Sequence, residues 1–148
     1  MNSFLSENQG NKDILDANVI IWFLRADHPD HFERSKRLFE QAESGDVRLV
    51  LLDAVFAEVV FVLVSVYGAK RVNVADNLRP FLFHGGIECP GGKVLDDALS
   101  RFASKNVDFL DAYLAAQALV LDVPVSTFDK DFRKFKDIEI EAPWFSHC

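Results

Sequence analysis

The sequence is poor in the side chains that build disulfide scaffolds and zinc sites. Its two cysteines, Cys89 and Cys148, lie far apart and form no CxxC pair. This spacing argues against a disulfide framework and against a zinc ribbon. The four histidines show neither an HExxH pattern nor another recognised ligand spacing. The chain therefore lacks the signatures of proteins that hold a metal through thiolate or imidazole ligands.

The chain also lacks a secretion signal and a long apolar run. Residues 1–11 are polar and show no basic region followed by an apolar one, so we expect a flexible leader and no signal peptide. The longest apolar stretch, from Ala54 to Tyr67, contains Glu58 and is shorter than the ~20 residues that a membrane-spanning helix needs. We therefore expect a soluble cytoplasmic protein without a membrane partner.

Positive charge is scarce. The chain has 16 basic and 23 acidic residues and a net charge of −7. This excludes a protein that binds nucleic acid through bulk positive charge, but it does not exclude an enzyme whose acids gather in one site. With 148 residues, 49% hydrophobic and 26% charged, the chain is predicted to form one globular domain over residues 12–145. Its 14 phenylalanines suggest a dry aromatic core.

Short predicted strands alternate with helices along the chain. Strands are expected over residues 13–15, 47–52, 87–89, 124–127 and 138–140. Helices are expected over residues 17–25, 31–44, 54–67, 69–83 with an interruption near Pro80, 93–105 and 108–121, followed by a helical turn at 130–135. This alternation predicts an α/β fold with a mostly parallel central sheet.

Acidic residues stand at positions where such a fold places chemistry. Asp16 follows the first strand and Asp129 follows a late strand, and ligands bind beyond the carboxyl ends of parallel strands. Glu58 lies on an apolar helix, where a carboxylate must be paired, be protonated or face a functional cavity. Asp108 and Asp111 are three residues apart and share one face of a helix start.

Each of these acids also has a purely structural interpretation. Asp16, Asp108 and Asp129 are suited to capping the helices that follow them. Asp111 would then be the acid that the helix dipole favours at the third helical position. Glu58 would lie on a narrow solvent-exposed stripe of its helix. Taken singly, none of the acids decides between the two interpretations.

Taken together, the acids favour a metal site if they converge on one edge of the sheet. Several carboxylates within a few ångströms repel one another unless protons or a cation compensate them. Ligation by oxygen alone favours Mg²⁺ or Mn²⁺ over zinc. Such a site is suited to hydrolysis of a phosphodiester bond by a metal-activated water, without a side-chain nucleophile.

Four segments of the chain together resemble the PIN-domain ribonucleases, and in particular the VapC-type toxins of toxin–antitoxin pairs. The segments are 14–18 (ILDAN), 57–59 (AEV), 106–116 (NVDFLDAYLAA) and 126–132 (STFDKDF). Their order and spacing both agree with the family, and the resemblance covers residues 13–135. It implies a three-layer α/β/α sandwich that cleaves RNA with Mg²⁺ or Mn²⁺, a cognate antitoxin and a homodimer.

The resemblance also implies a set of site residues. Asp16 and Asp111 match the principal metal ligands. Glu58 would bind metal directly or through water and orient the attacking water, and Asp129 would complete a second metal position or the outer shell. Thr127 matches a hydroxyl that steadies a carboxylate or the phosphate. Further candidates with weaker support are Asn18, Asp108 and Asp131.

Other functions remain open at this level. The same fold can be a non-catalytic binding or scaffold module, although a scaffold has no need of a repulsive acidic cluster. A phosphoacceptor signalling domain also uses acids at strand ends, but here two of the acids lie on helices. RNA binding would depend on scattered cations and would be weak and strongly salt-dependent. The candidate cations are Lys36, Arg37, Lys70, Arg71, Lys130, Arg133, Lys134 and Lys136.

Overall fold

The structure, a computed structural model, describes residues 11–143. The strands are β1 (Lys12–Ile14), β2 (Arg48–Val50), β3 (Ile87–Glu88), β4 (Val125–Ser126) and β5 (Ile140–Glu141). The helices are α1 (Ala17–Arg25), α2 (Pro29–Ser44), α3 (Asp53–Ser65), α4 (Arg71–Leu82), α5 (Gly92–Ser104) and α6 (Phe109–Leu121). A 3₁₀ helix, η1, follows at Lys130–Lys134. None of the helices in this range is long and apolar enough to cross a membrane.

The strands pair in parallel, in two groups. β2 lies between β1 and β3, with Ile14 opposite Val50, and β4 pairs with β5, with Val125 opposite Ile140. Parallel neighbours need a crossover connection, which α1 and α2 supply between β1 and β2 and which α3 and α4 supply between β2 and β3. The predicted α/β sandwich with parallel strands is confirmed. Within residues 11–143, however, the strands form two separate ladders rather than one continuous sheet.

The predicted helices and strands are present, with small shifts at their ends. α3, for example, begins at Asp53, one residue before the expected start at residue 54, and its N-cap is Leu52. The predicted interruption near Pro80 is wrong, because α4 continues through Pro80 to Leu82. Proline removes the N–H that would bond to the Asp76 carbonyl and crowds that carbonyl, but Asp76 is exposed, so water can take the place of the lost donor. Residues 1–10 of the expected leader (1–11) and residues 144–145 of the expected domain (12–145) lie outside the described residues.

Phenylalanine fills much of the core, as its abundance suggests. Phe39 and Phe81 pack with their ring centroids 5.4 Å apart, and Phe56 of α3 contacts Phe109 of α6 at 5.8 Å. All four side chains are buried. The contact between Phe56 and Phe109 fixes the first turn of α6 against α3. Phe61, in contrast, lies on the surface of α3 with 65% of its area exposed.

A buried arginine ties the C-terminal part of the chain to α5. The Arg101 side chain is only 9% exposed and donates hydrogen bonds to both carboxylate oxygens of Asp137, at 2.8 and 2.6 Å. Its Nε also donates to Asp97 at 3.2 Å, and its guanidinium lies over the Phe135 ring. Because a buried charge is costly unless it is paired, this ion pair fixes the segment that follows η1.

Replacing Asp137 by asparagine is expected to lower the free energy of unfolding at pH 7 by about 1–2 kcal/mol. Arg101 would lose one of its two partners, but the exposed side of Asp137 and the remaining Asp97 limit the loss. The hydrogen bonds from Arg101 lower the pKa of Asp137 below its ordinary value of 3.8. The stabilisation is therefore complete at pH values above the ordinary pKa of 3.8, and it is lost as the pH falls through the lowered pKa of Asp137.

Urea unfolding of the wild type and Asp137→Asn at pH 7 and pH 2.5 measures this difference. Glu139→Gln, which removes an exposed acid two residues away, is the matched control and should change little. If the difference in unfolding free energy between Asp137→Asn and the wild type were the same at both pH values, the stabilisation could not be assigned to the ion pair between Arg101 and Asp137.

Candidate metal centre

Three carboxylates from two parts of the chain meet beside the first turn of α6. Asp111 lies in that turn, Asp129 caps η1 and Asp131 lies in its first turn. One oxygen from each of the three lies within 4.8 Å of the other two. Asp111 is partly buried, whereas the Asp131 side chain is 50% exposed. Among residues 11–143, no other group of three or more histidine, cysteine or acidic side chains comes this close together.

The electrostatic potential at this acidic cluster is negative. Burial raises the pKa of Asp111, and the charges of Asp129, Asp108 and Asp131 raise it further. In the part of the chain that the structure describes, the single basic side chain within 4 Å of these acids is Lys134, which lies 3.4 Å from Asp131. The ionised form of Asp111 is therefore disfavoured, and a bound cation would relieve the repulsion.

A tight turn positions the two acids of η1. The Thr127 hydroxyl accepts a hydrogen bond from the Asp129 backbone N–H at 2.9 Å, and Asp129 Oδ1 accepts one from the Asp131 N–H at 2.9 Å. Lys134 Nζ donates to the Asn106 carbonyl at 2.7 Å, which joins η1 to the turn before α6. Asp129 is therefore a helix cap, as its structural interpretation predicted. Its second carboxylate oxygen has no partner within the described residues.

Arg71 holds the turn that leads into α6. Its Nη1 donates to the carbonyls of Phe102, Lys105 and Val107, at 3.1, 3.3 and 2.5 Å. These carbonyls belong to the end of α5 and the turn after it, where helical partners are lacking. Arg71 was a candidate RNA-binding cation, but it is partly buried and serves the fold. Asp108 occupies the N-cap of α6, yet its side chain makes no capping hydrogen bond.

A hydrogen-bonded network that was not predicted from the sequence joins α3 to α6. The Tyr113 hydroxyl donates to Asp53 and accepts a hydrogen bond from Gln117 Nε2 at 3.0 Å. The Asp53 carboxylate lies so close to Gly91 that a Cβ there would be 2.1 Å from Oδ1. Asp53 follows the end of β2 as Asp16 follows the end of β1, and this position after a strand could have identified Asp53 from the sequence. The network fixes α6 two residues beyond Asp111.

Asp16 and Glu58 lie outside the acidic cluster. Asp16 is the N-cap residue of α1, but its exposed side chain makes no capping hydrogen bond and has no ion pair within residues 11–143. Asn18 is exposed in the first turn of α1. Glu58 is exposed on α3, on the same side as Phe61 and Ser65, which matches the solvent-exposed stripe of its structural interpretation. The catalytic roles of Asp16 and Glu58 stay predictions.

The acidic cluster is suited to a hard divalent cation. Oxygen ligands lie about 2.1 Å from Mg²⁺, so two ligands of one ion are at most about 4.2 Å apart. Oxygens that already lie within 4.8 Å of one another need only small side-chain shifts to share an ion. The three donors are all carboxylates, and this favours Mg²⁺ or Mn²⁺ over zinc.

Replacing Asp111 by asparagine is expected to stabilise the metal-free protein by up to about 1 kcal/mol at pH 7. The substitution removes a charge that burial and three neighbouring acids disfavour, while water screens part of the repulsion. Added Mn²⁺ should raise the melting temperature of the wild type, because an ion that binds only the folded state stabilises it, and should raise that of the variant much less.

Thermal unfolding in EDTA and in increasing Mn²⁺ provides the measurement. Asp76→Asn, on the exposed surface of α4, is the control for removal of one negative charge. An Asp111→Asn protein that is less stable without metal and keeps the full response to Mn²⁺ would contradict a metal centre at this position.

Comparison with known protein families identifies one matching family model. None of the curated protein sequences compared with this chain matches it. The family model of the PIN domain matches residues 14–138, which include the acidic cluster as well as Asp16 and Glu58. PIN domains are generally metal-dependent nucleases. Because the match covers most of the 148 residues, this chain belongs to the PIN domain family.

Proposed function

We propose that this protein is an endoribonuclease of the VapC type that hydrolyses RNA phosphodiester bonds with a water activated by Mg²⁺ or Mn²⁺. The observation that carries the proposal is the acidic cluster of Asp111, Asp129 and Asp131 in a PIN domain. The arrangement brings negative groups together at a place where no basic side chain balances them fully. This is what a site for divalent cations requires.

Within the acidic cluster, the three acids have different roles. Asp111 is a principal metal ligand, and its partial burial keeps it in one position beside α6. Asp129 offers the carboxylate oxygen that does not cap η1, and Asp131 is a third ligand rather than only a helix-turn acid. Thr127 steadies Asp129 through its backbone N–H, and Asp108 adds negative charge.

Asp16 and Glu58 complete the proposed site from α1 and α3. Asp16 stands directly beyond the carboxyl end of β1, and its carboxylate has no partner among the described residues. That position supports a role as the second principal ligand. Glu58 is an exposed carboxylate on a helix whose other residues from Ala54 to Val64 are all apolar, and we assign it the orientation of the attacking water. Asn18 is a further polar group near Asp16.

A divalent ion bound here would lower the pKa of the attacking water and offset charge on the phosphate and the leaving oxygen. A side-chain nucleophile is not required. Burial and the nearby charge of Asp53 raise the pKa of the Cys89 thiol to about 11, so this cysteine is protonated at neutral pH. A thiolate mechanism at Cys89 is therefore disfavoured.

A VapC-type protein would also have protein partners. We propose a cognate antitoxin and a homodimer, in keeping with the resemblance of the catalytic segments. Leu110, Leu114 and Leu121 are exposed along one side of α6, with 59%, 40% and 64% of their areas accessible. Apolar side chains in such a row support a contact with another protein chain.

The nuclease proposal predicts that Asp111→Asn and Asp16→Asn each reduce RNA cleavage by about 100-fold or more. Both substitutions keep the shape of the side chain and remove a metal-binding charge. The measurement is the initial rate of cleavage of a labelled single-stranded RNA in Mg²⁺ or Mn²⁺, with and without EDTA. Asp76→Asn is the matched control and should cleave like the wild type. Full activity in both site variants would overturn the proposal.

Calorimetric titration with Mn²⁺ separates the nuclease from a non-catalytic scaffold with the same fold. The nuclease is expected to bind Mn²⁺ in the wild type and to lose that binding in Asp111→Asn. Absence of site-dependent binding in the wild type would favour the scaffold, in which case the acids would serve only as helix caps and surface charges.

A further inference from the structure

A pocket of about 540 Å³ lies between α1 and α2. Asn18 and Trp22 line it from α1, and His31, Arg34 and Arg37 line it from α2. Asn18 lies in the first turn of α1 and Asp16 is the N-cap of that helix, so one end of the pocket begins two residues along the chain from a proposed metal ligand. A chain bound in the pocket would therefore have a short path to the proposed catalytic site.

The pocket is positive in a protein that is negative overall. No acidic side chain lines it, although the full chain carries a net charge of −7. Arg34 and Arg37 are exposed, and neither makes an ion pair or a side-chain hydrogen bond within residues 11–143. Two unpaired guanidinium groups beside a cavity favour an anionic ligand such as a phosphate.

The same pocket contains an aromatic surface. The rings of Trp22 and His31 lie 5.0 Å apart, and His28 stacks on His31 at 4.0 Å. His28 also caps α2, because its Nδ1 accepts a hydrogen bond from the His31 N–H at 3.2 Å. The capped helix start thus holds His31 beside Trp22. Aromatic faces of this kind stack with nucleobases of any sequence.

We propose that this pocket binds a nucleotide of the single-stranded RNA that the protein cleaves, on the side of the scissile bond next to Asp16. The base stacks against Trp22 and His31, and the phosphates contact Arg34 and Arg37. Cations beside aromatic rings favour a nucleic acid over an acidic peptide, because a peptide carboxylate would pair with the arginines but would bring no base to stack on Trp22 and His31. This inference rests on the proposed ribonuclease function for the identity of the ligand.

The test is the binding of a fluorescein-labelled 12-nucleotide single-stranded RNA in EDTA, where metal-dependent cleavage cannot occur. Trp22→Ala is expected to raise the Kd by about 5- to 100-fold, because one stacking contact is lost. Arg34→Gln combined with Arg37→Gln is expected to raise the Kd and to reduce the slope of log Kd against log salt by about 1.4.

Matched controls separate the pocket from a general surface effect. Lys93→Gln removes an exposed charge from α5, which does not line the pocket, and Phe83→Ala removes an aromatic side chain that is 60% exposed elsewhere. Both controls should bind RNA like the wild type. Because Arg34 and Arg37 are on the surface, the double variant tests the inference even if Trp22→Ala fails to fold.

The inference would be overturned if the arginine double variant and a folded Trp22→Ala protein both bound RNA with the affinity of the wild type. The same result is expected if the pocket binds a peptide instead of RNA. Failure of the nuclease proposal gives a different result. In that case the wild type would cleave no RNA in Mg²⁺ or Mn²⁺, while the pocket variants would still weaken RNA binding.

Discussion

Repulsion among carboxylates governs the region of the molecule where the first turn of α6 meets η1. Asp111, Asp129 and Asp131 lie within a few ångströms of one another, and Asp108 adds its charge to theirs. A protein gains no stability from such an arrangement by itself, because each ionised acid disfavours the ionisation of the others. The arrangement is understandable when a divalent cation supplies the missing positive charge, and this is the chemistry of the PIN domain family.

Strong contacts around the acidic cluster hold its two halves in place against that repulsion. On the α6 side, Arg71 binds the carbonyls before the helix, and Tyr113 is hydrogen-bonded to Asp53 of α3. On the η1 side, Lys134 reaches a carbonyl before α6, and Arg101 pairs with Asp137. These contacts use positive and polar groups around the acids and leave the carboxylates of Asp111 and Asp108 without a hydrogen-bonding partner among the described residues.

Much of the architecture could be predicted from the sequence because local patterns determine it. Gly45, whose left-handed backbone (φ 89°) ends α2 after Ser44, is the residue type that commonly stops a helix, and Asp108 marked the start of α6. The contacts of Arg71 could not be predicted, since they join residues more than thirty positions apart and a lone arginine usually indicates a solvated surface. The same limit applies to Asp53 and Tyr113, which are 60 residues apart.

For the site, sequence reasoning identified the acids but not their grouping. Asp129 is both a helix cap and a member of the acidic cluster, so the structural and functional interpretations are compatible there. Asp131 ranked as a weaker candidate, because a first-turn acid is common, yet it lies with Asp111 and Asp129. The burial pattern of α3 places Glu58 on the exposed stripe of its structural interpretation. Because nearly every other residue of α3 is apolar, the sequence gave no periodic signal that could decide between this stripe and a functional cavity.

The most direct test is a crystal structure of the protein grown or soaked with Mn²⁺, with anomalous scattering used to locate the ion. An anomalous peak bound by Asp111 together with Asp129 or Asp131 is expected in the wild-type crystal, and no such peak is expected in Asp111→Asn. Manganese bound only at other positions, or not bound at saturating concentration, would show that these acids do not form a metal centre.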